Sequence, residues 1–77
     1  MTPAELFALA SREDSAIAHA ILRVGIPAAD TDDVRQLALI DAWRLISEGK
    51  LVIGEGQNPS RSVRRWIYSV AVITALR

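Results

Sequence analysis

Few side chains in this 77-residue sequence could do chemistry, and most lack the second residue a reaction would need. His19 is the single histidine and there is no cysteine, whereas a zinc site draws three or four ligands from those residue types. It therefore reads as a surface or core-edge residue. Asp30, Asp32 and Asp33 open like a calcium loop, but no central glycine and no closing glutamate follow, so a helix N-terminus explains them better. Gly54-Glu55-Gly56 is followed neither by the third glycine of a dinucleotide fingerprint nor by a Lys-Ser/Thr pair. Ser47, Ser60, Ser62 and Ser69 have no general base nearby in the sequence. These absences predict a binding module: not an enzyme, and with no cofactor or metal.

Charge is the feature with direction. Residues 1–60 hold five basic side chains against all nine carboxylates, while residues 61–77 hold Arg61, Arg64, Arg65 and Arg77 and no acid at all. A formal net charge of zero thus conceals an acidic body and a basic C-terminal element. That gradient suits an anionic partner for the C-terminal element, and it equally suits a neutral helical domain whose charges are simply solvated.

Those arginines must be positioned by helices. Thr2-Pro3-Ala4-Glu5 is a capping box with proline at the first helical position, and Leu6, Phe7, Leu9 and Ala10 continue it as an apolar stripe. Ser11 and Asp14 form a second box, which predicts a bend or break near residues 11–13. Ile17, Ala18, Ile21, Leu22 and Val24 then recur at helical spacing up to Gly25 and Pro27, a stop signal. The next helix starts at Asp30 or Thr31 as cap and runs to about Glu48, where Gly49 ends it. Its wide apolar sector (Val34, Ala38, Leu39, Ala42, Trp43, Leu45 and Ile46) predicts a central helix with Trp43 buried. Leu37, Asp41, Arg44 and Glu48 form the opposite, outward stripe.

Lys50 to Ser60 reads as a loop in which Leu51-Val52-Ile53 folds back as an apolar plug, since there is no second strand for it to pair with. Asn58 caps the last helix with Pro59 at its first position; Val63, Trp66, Ile67, Val70 and Thr74 line its inner face. The fold class is therefore all-α, a small three- to four-helix bundle, in one domain over residues 1–77. The last helix carries no stop signal, which predicts a domain cut from a longer protein. No run of apolar residues approaches the roughly 20 a membrane span needs, and the N-terminus does not resemble a signal peptide, so a cytoplasmic, membrane-free location is expected.

One longer pattern carries a family likeness. Asp32-Asp33-Val34-Arg35-Gln36 through Ala42-Trp43-Arg44, an irregular loop, then Trp66-Ile67-Tyr68-Ser69-Val70-Ala71 resembles region 2 of bacterial RNA polymerase sigma factors, nearest the small extracytoplasmic-function group. There an acidic turn opens a helix of the form Asp-Leu-Val-Gln-Glu that ends Ala-Trp-Arg, and a later helix starts Trp-Leu-Tyr-Arg-Ile-Ala-Arg-Asn. The resemblance implies a middle helix that binds the clamp helices of the polymerase's largest subunit, through Asp33, Gln36, Leu37, Asp41 and Arg44 here. It also implies a loop and last helix that take the −10 promoter element as a separated strand, through Lys50, Arg61, Arg64, Arg65 and Tyr68. Single-strand capture of that kind needs cations for phosphates and flat or apolar surfaces for bases. Trp66 shares a face with Val63, Ile67 and Val70 and is expected in the core.

Departures from the family pattern are specific. Leu37 stands where a glutamate is usual, Asp41 where a basic residue is usual, Ser69 where an arginine is usual, and Val72-Ile73 replaces Arg-Asn. Polar positions that would meet DNA are thereby lost, and Val72, Ala75 and Leu76 add an apolar face. The resemblance thus implies a divergent transcription regulator whose partners are RNA polymerase core, through the largest subunit or another one, promoter DNA, or an anti-sigma-like protein. The alternative is a protein-interaction module without DNA binding, either a degenerate sigma-like domain or an unrelated helical adaptor.

Overall fold

The computed structural model describes all residues from Met1 to Arg77 and is built of helices alone. Helix α1 spans Pro3–Ser11, α2 Asp14–Val24, α3 Thr31–Ser47 and α4 Pro59–Leu76, with a single 3-10 turn, Ala28–Asp30, leading into α3. The expected helical bundle is what forms, and its four-helix version.

Local signals set most of the boundaries. At the start of α1 the Thr2 N–H donates to Glu5 Oε1 at 3.0 Å and the Glu5 N–H donates to Thr2 Oγ1 at 3.2 Å, a complete capping box. The bond from the Thr2 backbone, then that with its hydroxyl, holds the Glu5 carboxyl below the usual glutamate range. A lowered folded value means this contribution is intact above the usual range and is lost as pH falls through the folded value. Thermal melts between about pH 7 and pH 3 should therefore fall more steeply for the native chain than for Glu5→Gln, which keeps an acceptor but no titrating group. Equal slopes would show that the box has no electrostatic part.

Helices α2 and α3 both end in left-handed glycines, Gly25 at φ 88° and Gly49 at φ 76°. After each, the following N–H reaches back to close the last turn, Ile26 to the Ile21 carbonyl at 3.4 Å and Lys50 to the Leu45 carbonyl at 2.9 Å. Asn58 Oδ1 accepts from the Arg61 N–H at 3.1 Å and caps α4 as expected. Two expected caps are absent. The Ser11 hydroxyl donates to the Ala8 carbonyl and leaves α2 without a side-chain cap, and Thr31 donates to Pro27 while the 3-10 turn winds directly into α3. The break between α1 and α2 nevertheless falls at Arg12–Glu13, where it was expected.

The core contains Leu6, Ile17, Ile21, Ile46, Leu51, Val63, Ile67 and Val70, with six alanines among fourteen buried apolar residues. So many small side chains let helices pack closely but bury little area each, which limits stability to about 3–5 kcal/mol for a chain of this size. Helix α4 lies against both α2 and α3, and α1 packs mainly on α3 and also touches α4. Leu51 is buried and Ile53 half-buried while Val52 points outward, so the loop after α3 is the plug the sequence suggested. One polar clasp ties α3 to the end of α4: Asp41 Oδ2 accepts from Thr74 Oγ1 at 3.1 Å and from Arg77 at 3.2 Å.

Two expectations about burial are corrected here. Trp43 is 45% exposed, because the buried ridge of α3 is Ala38, Ala42 and Ile46, and α1 covers only one edge of the indole. Phe7 meets that edge in a T-shaped contact with ring centroids 5.3 Å apart and planes at 75°. Leu22 and Ala18 lie on the solvent side of α2.

Candidate functional site

Two surfaces of different chemistry emerge from this packing. The first is the outward face of α3, where Asp33, Gln36, Leu37, Ile40 and Arg44 are all exposed. They stand there because the opposite ridge of alanines must face the bundle, and 3.6 residues per turn then fixes what points away. Leu37 is 55% and Ile40 64% exposed, and Ile40 shares a shallow apolar cleft with Phe7, Leu39 and Trp43. Arg44 is held along its own helix by Asp41 at 3.5 Å and Glu48 at 3.2 Å; the Glu48 pair is exposed, worth little and can be exchanged for another. Asp41 sits apart from this group: only a fifth of its side chain is exposed and its oxygens are occupied by Thr74, Arg77 and Arg44. Its observed work is to clasp α4.

The second surface is an open cleft between α2 and α4, lined by Ser15, Ala16, His19, Arg64, Arg65, Tyr68 and Ser69. A second depression, between α4 and the loop, shares Arg65 and Ser69 and adds Leu51, Val52, Gln57, Ser62 and Trp66. Arg65 is therefore the hinge of a basic, partly apolar surface along α4. Arg61 and Arg65 are exposed and form no ion pair, whereas Arg64 Nε donates to Glu13 at 3.1 Å. The Arg23 guanidinium donates to the Tyr68 hydroxyl at 3.3 Å, a bond that raises the arginine's already high pKa and fixes the half-buried ring. Trp66 is half-buried, with its edge in the loop-side depression. Lys50 is exposed at the start of the loop and lines neither depression.

Electrostatics mark the α4 surface as unusual. Its first turns carry Arg61, Arg64 and Arg65 and no acid, although the N-terminal end of a helix is the positive end of its dipole. The sequence thus places like charges where stability alone would favour glutamate or aspartate.

Of the residues expected to act together, the structure groups Asp33, Gln36, Leu37 and Arg44 on one face, and Arg64, Arg65 and Tyr68 in one cleft with Arg61 one turn away. Sequence reasoning missed Ile40, although it stands three residues after Leu37, and missed His19 and Ser15, which join the cleft only because α2 packs on α4, and Arg23, which the same packing brings to the Tyr68 hydroxyl. Compared with family models, with curated proteins and with solved structures, the chain matches none. No helix is long and apolar enough to cross a membrane.

Proposed function

We propose that this chain is a sigma-factor-like transcription module that docks on RNA polymerase core through the outward face of α3 and offers the arginine surface of α4 to a single strand of promoter DNA. The observation that carries the reading is the shared exposure of Asp33, Gln36, Leu37 and Arg44 on one face, since these are positions that the resemblance assigns to the polymerase. An exposed leucine flanked by charged and amide groups has the make-up of a small interface, with an apolar centre and a polar rim. The arginine surface, carried against the helix dipole, supports the nucleic-acid half. Asp41, engaged by α4, acts in this reading by holding the bundle shut beside the docking face.

The second reading, an interaction module without DNA binding, is favoured by the exposed Ile40, Ile73 and Leu76. An anti-sigma-like protein would then be a partner of the apolar faces. Either partner implies a cytoplasmic location.

Capture of purified polymerase core on the immobilised chain tests the proposal, with Asp33→Arg/Leu37→Arg as control. Both positions are exposed, so the control should stay folded by circular dichroism. Retention of core or its largest subunit, reduced at least about tenfold in the control, is expected for loss of an interface centre. Retention of another subunit alone would make the chain an activator that uses a different contact. No retention by a folded chain would leave the interaction module.

A further inference from the structure

The outward face of α3 is complementary to itself. Asp33, Leu37, Ile40 and Arg44 follow one another at intervals of four, three and four, so they form a single straight stripe, and all four are exposed. The stripe reads acid, apolar, apolar, base. When a second copy of the helix is laid antiparallel on the first, with the two-fold axis between Ala38 and Leu39, Asp33 meets Arg44 of the other copy and Leu37 meets Ile40. Each contact occurs twice, as in every isologous pair. Gln36 and Trp43 lie to one side of this stripe and Asp41 to the other, where Thr74 and Arg77 hold it. Parallel pairing would instead set Asp33 on Asp33 and Arg44 on Arg44.

We propose that two copies of this chain associate through antiparallel α3 helices, with Leu37 and Ile40 at the centre and Asp33–Arg44 pairs at both ends. Arg44 exchanges its exposed contact with Glu48, and its longer one with Asp41, for the Asp33 carboxylate of the other copy. The flanks leave room, since Phe7 of α1 stands on the Trp43 side, bordering a shallow cleft that Ile40 also lines, and the Asp41 clasp lies on the other side. Two apolar side chains from each copy, Leu37 and Ile40, make a patch smaller than a standard interface, so dimerisation should be weak, with a dissociation constant on the order of 10–100 µM. This goes beyond the polymerase reading and uses the same face, so dimer and polymerase complex exclude one another. The self-associated form is then a store of the module that dilution or polymerase releases.

Sedimentation equilibrium of the chain alone, from about 5 µM to 1 mM, tests this without polymerase and so fails or succeeds independently of that reading. A monomer–dimer equilibrium is expected. Asp33→Arg and Arg44→Asp should each raise the dissociation constant about tenfold or more, because the two-fold axis counts every change twice. The double variant Asp33→Arg/Arg44→Asp restores opposite charges across the axis and should recover affinity to within about threefold of the native chain. Ile40→Glu should be monomeric throughout, with an unchanged helical spectrum. A native chain that stays monomeric to 1 mM overturns the proposal. So does a dimer indifferent to Asp33→Arg, or a double variant that does not recover.

Discussion

Replacing Ile67 by alanine is expected to unfold most of the chain at 25 °C. Ile67 is fully buried in α4, the helix that packs on both α2 and α3. Truncation removes the transfer energy of three carbons and leaves a cavity, a loss of about 2–5 kcal/mol. The total available is only about 3–5 kcal/mol in a domain this small. Relaxation offers little relief, because the neighbouring ridges are already alanine and have no spare side chain to move inward. Trp43→Ala is the instructive contrast. It deletes a much larger side chain, but one that is 45% exposed and held on one edge by Phe7, so its cost should be about 1–3 kcal/mol, an aromatic pair of about 0.5–1.5 kcal/mol plus the covered part of the indole, and no cavity is left. Urea titrations followed by circular dichroism give both numbers. If Trp43→Ala proved the more damaging, the phase of α3 in the bundle would be wrong.

That contrast also shows which parts of the structure could be read from the sequence. Thr2-Pro3, Asn58-Pro59, Gly25 and Gly49 act on backbone groups within one turn, so their caps and stops need no knowledge of the rest of the chain. Trp43 could not be placed that way. The apolar sector of α3 is wider than its partners can cover, and which edge stays in water depends on α1 being only nine residues long. Asp41 looked like part of an outward stripe with Leu37 and Arg44, but Thr74 and Arg77, more than thirty residues away, bind it. The same holds for the cleft: Arg64, Arg65 and Tyr68 were readable as candidates on one helix, whereas Ser15 and His19 enter it, and Arg23 reaches Tyr68, through the pairing of α2 with α4. Exposure of Leu37 was readable because its stripe runs opposite the alanine ridge.

Reversing the two unpaired arginines of α4 should separate binding from stability. Arg61 and Arg65 are exposed and hold no partner, so Arg61→Glu/Arg65→Glu breaks nothing in the fold. Arg64 is a poor choice for such a test, since glutamate there would face Glu13. Position 61 is the third residue of α4, and a glutamate at that position completes a capping box with Asn58 at the positive end of the helix. The double variant should therefore be more stable by about 0.3–1 kcal/mol, a melting temperature higher by a few degrees. Its affinity for a single-stranded oligonucleotide should nevertheless fall about a hundredfold or more at low salt, because two phosphate contacts become repulsions. In the native chain, three to four arginines neutralising phosphates should give a log–log salt slope of about −2 to −3, and the variant's slope should be close to zero. Fluorescence anisotropy across a salt series, beside a thermal melt, measures both. Unchanged affinity in a chain that melts higher would mean that the arginines serve neither stability nor DNA, and the nucleic-acid half of the proposed function would fall. Affinity lost while stability rises would show that α4 keeps its positive charge for an anionic strand, at a cost to its own helix.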